Sequence, residues 1–216
     1  MGLIFYAIAP SLYSAKTRIV LRAKGLEWEE RHPPDGYENA DFRAMFPAGT
    51  MPAIDDNGFT LSDSESINEY LNEIHPYPPL LPEGIRARAM VRQLSRFHDT
   101  RLEPALRGLF GHVDPDVRDT HHVTRQAALI NTRIGQLSRL IDPNPLLAGK
   151  DMTLADCGFP ITFAFLERVA QALKLDIGWP GNVAAYRAAL GEHPVIAEEL
   201  ESYLPGVDAW IKSETS

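Results

Sequence analysis

Cysteine is almost missing from this chain of 216 residues: Cys157 stands alone. A single thiol forms no internal disulfide, which excludes a cross-linked framework and fits a reducing compartment. Cys157 falls on an apolar helical stretch and reads as a core residue. Long apolar runs are missing as well. No segment approaches the ~18 uninterrupted apolar residues of a membrane span, and the opening residues carry no basic leader segment. The cytoplasm is the expected location, with no membrane partner. Positive charge is short: 21 Lys and Arg stand against 29 Asp and Glu, a net charge of −8. With no Lys/Arg block, that balance argues against a nucleic-acid partner. No metal is expected, because His121 and His122, adjacent on a helix, point in different directions. What remains is an ordinary globular composition, 44% hydrophobic and 23% charged, long enough for one large or two modest domains.

The informative stretch follows the apolar run Leu3–Ile8, which reads as a buried strand. After a turn at Pro10, a helix opens near Ser11 and carries Ala15, Ile19, Val20 and Ala23 on one face until about Gly25. Such a start has unpaired backbone N–H groups and the positive end of the helix dipole. Ser11 and Ser14 lie within one turn of it, with Tyr13 between them. An anion or thiolate would be held there; equally, Ser11 serves as an N-cap.

Glu27–Arg31 reads as a second strand, so strand, helix and strand suggest a right-handed βαβ unit. Residues 33–47 read as a broken polar loop with a short helix at Ala40–Met45. Asp56, Asn57 and Gly58 signal a hairpin between two short strands. Pro52 begins the first of these, where it donates no ladder bond. A cis Met51–Pro52 bond is one reason for its position, turning the Met51 backbone toward a ligand. A helix then opens around Ser62–Ser66, with Ile67, Tyr70, Leu71 and Ile74 at i, i+3, i+4 and i+7. Its acidic, hydroxylated first turn suits capping, and suits Ser64 holding a carboxylate while Asp63 accepts from an ammonium.

The proline-rich segment 77–84 divides domain 1–76 from an all-helical domain 85–216. One helix is expected over Ile85–Leu109, bent at Pro104, and another through Val123–Ile141. Thr153-Leu-Ala-Asp156 forms a capping-box opening to an apolar helix kinked at Pro160. Two short helices, Val183–Leu190 and Pro194–Glu201, precede a surface tail from Pro205 on which Trp210 docks.

Taken in order, Ser11-x-x-Ser14, Met51-Pro52, Leu61-Ser-Asp-Ser64, Ile67-x-x-Tyr70-Leu71, the proline-rich linker and Thr153-Leu-Ala-Asp156 resemble the glutathione transferase family. Thr17–Gly25 is most similar to its omega and zeta branches. The resemblance implies an α/β thioredoxin-like N-terminal domain followed by an all-α C-terminal domain, glutathione as co-substrate, and a homodimer. It implies that Ser11 donates to the glutathione sulfur, with Ser14 nearby, and that Thr50, Met51 and Pro52 bind the cysteinyl unit. Asp63 and Ser64 would hold the γ-glutamyl end. Tyr13, Arg101 and Phe110 are candidates for a second-substrate pocket between the domains. Phe46 stands where the family often has Asn. No cysteine occupies the helix start, which disfavours mixed-disulfide chemistry, and Tyr13 replaces the cysteine of zeta-type isomerases.

The implied reaction is addition of glutathione thiolate to a small, largely apolar electrophile. Dehalogenation or ether cleavage by the same thiolate is the alternative within enzymes. A non-catalytic binding or regulatory protein is the alternative outside them. A free thiol of pKa ~8.5 needs ~2.7 kcal/mol of preferential anion stabilisation to fall by ~2 units. A hydrogen bond to the charged sulfur supplies roughly 1.5–3 kcal/mol and a helix start ~0.3–2. The two together suffice.

Overall fold

The apolar N-terminal run forms β1 (Leu3–Tyr6), parallel to β2 (Glu29–Arg31) and antiparallel to β3 (Ala53–Asp56), which pairs antiparallel with β4 (Phe59–Ser62). The computed structural model describes residues 2–33, 36 and 38–215. Strand order is β2-β1-β3-β4. Asn57 and Gly58 both take positive φ in the β3–β4 turn, which suits the Asp-Asn-Gly run. At the other edge, β2 is polar because it is exposed: Glu29 pairs with Arg31, and Glu30 with Arg18. A charged edge resists pairing with another chain. Of the loop expected over 33–47, Pro34, Asp35 and Tyr37 lie outside the described residues.

α1 (Leu12–Ala23) and α3 (Ser64–Ile74) pack on each other. α2 (Ala40–Met45) lays Phe42 against Tyr6, joined by Phe46 and Ala53 in one apolar cluster. At the far end of α1, the buried Lys24 ammonium donates to Asn72 Oδ1 and to the carbonyls of His75 and Pro78. Its three donors tie α1 to the end of α3 and the proline-rich segment, and burial pulls its pKa down.

The chain divides into two compact units, Met1–Leu81 and Pro82–Ser216. The second is all helical: α4 (Ile85–Phe97), α5 (Glu103–Arg107), α6 (Thr120–Leu140), α7 (Phe159–Leu173), α8 (Gly181–Glu192) and α9 (Pro194–Glu214). Between α4 and α5 the chain makes a π turn, His98–Leu102. The break expected at Pro104 therefore comes earlier. A proline ring clashes with the carbonyl four residues back, here Thr100, and a widened turn around that residue accommodates it.

Pro160 and Pro205 also depart from expectation. Pro160 stands in the first turn of α7, where its missing N–H is one the helix leaves unpaired, so it starts the helix instead of kinking it. The segment from Pro205 is no surface tail but part of α9, which passes through that proline. Trp210 packs at a tilt on Phe165 at 5.3 Å and lies 5.4 Å from Phe110, and such aromatic packing anchors the last turns. Behind the Thr153–Asp156 capping box, α7 buries Phe159, Ile161, Phe163, Phe165 and Leu166 against its neighbours. Each such side chain contributes ~1.5–3 kcal/mol of transfer free energy. The architecture is thus an α/β thioredoxin-like unit followed by an all-α unit.

Candidate active site

The sheet register assembles the site. Tyr6, the last residue of β1, faces Ala53, the first of β3, and Ala53 faces Ser62, the last of β4. The segments leaving β1 and β4 and entering β3 therefore meet at one edge of the sheet. Those segments carry Ser11, Met51-Pro52 and Asp63-Ser64. α1 and α3 both begin there and both run away from it, so two positive helix ends face the same edge.

Ser11 is the N-cap of α1, with extended backbone, and its Oγ accepts from the Ser14 N–H at 3.2 Å. That bond uses an oxygen lone pair and leaves the hydroxyl proton to donate. The first turn of α1 holds no acidic residue, so its dipole is uncompensated. Of the two serines only Ser11 reaches the surface. Ser14 is fully enclosed, and its Oγ has no partner among the described residues. Tyr13 is partly exposed on the same turn.

The Met51–Pro52 bond is cis. Ladder pairing begins at Ala53, so Met51 stands two residues outside it; Pro52 is buried and Thr50 exposed. Asp63 caps α3, its Oδ1 accepting from the Ser66 N–H at 2.9 Å, with φ at +83°. A non-glycine residue in that region carries strain, which tends to collect at functional sites. Ser64 is buried beside it. Lys16 of α1 and Glu65 of α3 join the two helix starts through a 2.5 Å ion pair, with side chains 1% and 12% exposed. Lys16 does not stand out in the sequence, and Glu65 reads only as part of the acidic first turn; a lysine on the buried face of α1 is the available hint.

Arg101 and Phe110 belong to the second unit and serve different features within it. Arg101 lines a cleft with α6 residues. Phe110 stacks on Phe165 at 4.9 Å beneath the Arg107 guanidinium. A second polar row lies there too: Asp99 Oδ1, His98 Nδ1, His98 Nε2 and Thr162 Oγ1 are linked at 2.7 Å each. The order matches that of a nucleophilic triad, but Thr162 is fully buried, and a nucleophile must reach its substrate. The row fastens the π turn to α7. Cys157 is buried, and no metal-ligating cluster occurs among the described residues.

Residues 5–79 match the glutathione S-transferase N-terminal domain. A glutathione S-transferase-like protein from Fusarium sp. is 30% identical over 157 residues, covering 70% of this chain and 71% of that protein. This chain belongs to the glutathione S-transferase family. Within it, a stringent starvation protein A homolog of Pasteurella multocida is 28% identical over 193 residues, 88% of this chain and 85% of that one. Maleylacetoacetate isomerase of Rattus norvegicus is 32% identical over 106 residues; the match spans 47% of this chain and 49% of the isomerase, about half of each. A glutathione transferase of Bombyx mori has the same fold, with a TM-score of 0.83 at 22% identity, over 98% of this chain and 97% of that one. No helix among the described residues is long and apolar enough to cross a membrane.

Proposed function

We propose that this transferase-family chain binds glutathione at the edge where β1, β3 and β4 meet and adds its thiolate to a small, largely apolar electrophile. One observation carries the reading: the Tyr6–Ala53–Ser62 register brings Ser11, Met51 and Asp63-Ser64 to a single edge, beside the starts of α1 and α3. Ser11 donates its proton to the sulfur while its oxygen stays held by the Ser14 N–H, so the hydroxyl is oriented before glutathione arrives. The acid-free first turn of α1 favours the anion. The Met51 backbone and Pro52 meet the cysteinyl unit, next to Thr50. Asp63 and Ser64 receive the γ-glutamyl end, the acidic cap of α3 facing its ammonium. Ser14, enclosed, acts through its backbone. Tyr13 faces the electrophile, and Ser11 is never the nucleophile. Phe59, half exposed and packed on Tyr70 at 5.0 Å, and the exposed Ile74 of α3 supply an apolar face for the expected homodimer. The cytoplasm remains the expected location.

Calorimetric titration with glutathione and thiolate absorbance in the complex test this. Ser11→Ala should abolish the absorbance and lower turnover about 10²-fold, beyond the ~1 kcal/mol of helix stability that the lost cap costs. Ser11→Asp separates the two roles: aspartate caps as well as serine but has no proton to offer, so stability should survive and activity should not. Unchanged absorbance in Ser11→Ala would sink the assignment. A substrate panel distinguishes conjugation from dehalogenation and ether cleavage. One further reading is a non-catalytic binding or regulatory protein, since the stringent starvation protein A homolog alike over most of the chain is not named as a transferase. Absence of glutathione binding at millimolar concentration would select it.

A further inference from the structure

The chain is acidic, and six of its arginines pair with carboxylates: Arg18 with Glu30, Arg31 with Glu29, Arg96 with Asp99, Arg107 with Glu103, Arg168 with Asp208 and Arg187 with Glu167. In one place three arginines without such a partner among the described residues gather. Where the π turn packs on the last turns of α6, a cleft of about 440 Å³ is lined by Phe97, Arg101, Arg133, Gln136, Arg139 and Leu140. Three guanidinium groups border it, and among the described residues none of the three has a carboxylate partner. Arg133 and Gln136 share a helix face at i, i+3. The Gln136 carbonyl oxygen accepts from Arg133 Nη1 at 2.9 Å, which orients the guanidinium and leaves the Gln136 amide N–H groups to donate. Arg133 Nε is buried with no hydrogen-bond partner among the described residues. A buried donor on a charged group is costly to leave unmet.

The dipole of α6 accounts for part of this, since cations favour a helix C-terminus, and Arg139 lies in the last turn. It does not account for Arg101, which comes from another element, or for the orphaned Nε of Arg133. A mutually repelling cluster of cations with open donors and a volume within the range of small-molecule sites is explained by an anion. Arginine forks match carboxylate and phosphate oxygens bidentately. The lining is otherwise Phe97 and Leu140, so the ligand has a short carbon skeleton or none.

We propose that this cleft binds a small oxyanion bearing two or more negative charges, a polycarboxylate or a phosphate compound, held by Arg101, Arg133 and Arg139 with the Gln136 amide. Apart from Arg101, whose expected place beside an electrophile this replaces, the site shares no residue with the glutathione reading and stands or falls without it.

The test is isothermal titration of the full chain with sodium pyrophosphate and, separately, with citrate, against sodium chloride at matched ionic strength. One anion per chain should bind, and the tighter of the two probes tells phosphate from carboxylate. The double variant Arg101→Gln/Arg139→Gln changes only exposed side chains and should weaken binding at least 10-fold. Arg133→Lys, which keeps the charge but loses the fork, should also weaken it. Glutathione titrations should be unchanged in both variants. Heats reproduced by chloride, equal binding by wild type and variants, or no binding of either probe at millimolar concentration would each overturn the proposal. So would a change of sedimentation mass in the double variant without any anion response, because the cleft would then be the seat of a second copy.

Discussion

Two regions of the molecule enclose polar side chains and treat them in opposite ways: the Asp156 network of the helical unit, and the hydroxyl and amide groups buried on α1 and α3. In the helical unit, Asp156 is fully buried and fully employed. It accepts from the Thr153 N–H and hydroxyl at 2.8 Å each, from the Tyr186 hydroxyl at 2.8 Å and from the Leu147 N–H at 3.3 Å. In the α/β unit, Ser14 Oγ, Thr17 Oγ1 and both side-chain polar atoms of Asn68 are buried with no partner among the described residues. They lie on α1 and α3, the two helices whose starts form the candidate site. A satisfied network holds one arrangement, since breaking it strands several donors at once. Unmet atoms stabilise nothing and mark where the fold tolerates a loss. The Asp156 network therefore acts as one knot, whereas α1 and α3 carry polar groups that packing alone would have replaced.

The largest expected effect comes from untying that knot. Asp156→Ala leaves the donors of Thr153, Tyr186 and Leu147 without an acceptor and should cost about 3–5 kcal/mol, read as a lower midpoint in urea unfolding. Tyr186→Phe removes one donor, and Asp156 keeps the others, so about 1–1.5 kcal/mol is expected. If Asp156→Ala cost no more than Tyr186→Phe, the network would not be cooperative and the contrast with the groups buried on α1 and α3 would be lost.

Much of this was legible before the structure. The Asp-Asn-Gly turn, the amphipathic face of α3, the capping box and the N-cap at Ser11 depend on neighbours a few residues apart, where spacing is informative. What escaped depends on partners far away in the chain. Tyr186 meets Asp156 across 30 positions and Lys16 meets Glu65 across 49, and no local pattern announces either. Arg101 reads as a candidate for the second-substrate pocket, and nothing in its own helix announces that α6 brings Arg133 and Arg139 beside it. Prolines were misread for a related reason. Pro104, Pro160 and Pro205 all interrupt helical periodicity, but whether a helix starts, widens or passes through depends on what packs around it. Likewise, Ser11 and Ser14 look equivalent in sequence, and only the packing of α1 separates the exposed hydroxyl from the enclosed one.

The α/β side of the comparison is tested by smaller changes. Ser14→Ala and Asn68→Leu remove polar atoms that have no partner among the described residues, so stability should hold or rise by up to about 1 kcal/mol. A loss of about 2 kcal/mol in either would reveal a bond to those atoms and erase the difference from the Asp156 network. Ser14→Ala should also leave glutathione binding intact, because Ser11 is the hydroxyl that reaches the surface.

The smallest expected effect sharpens the contrast within the helical unit. Asp119 and Asp156 both cap helical turns, yet their pKa values move apart. Backbone N–H groups of His122 and His121 favour the Asp119 anion and lower its pKa below 3.8, whereas burial raises that of Asp156 above 3.8 against the pull of its donors. The signs follow by linkage. Folded Asp119 gives up its proton more readily than the unfolded residue, so its contribution is present above pH 3.8 and is lost as pH falls through the lowered value. Folded Asp156 binds its proton more readily, so its contribution is fullest below pH 3.8 and declines as pH rises through the raised value. Asp119→Asn keeps an equivalent cap without a titrating group. The gap in unfolding midpoint between that variant and wild type should change only on the acid side of pH 3.8 and stay constant above it. Asp156→Asn should change its gap on the opposite side. Parallel profiles for the two variants would mean that burial does not govern Asp156, and that the knot holds a carboxylate no different from one on the surface.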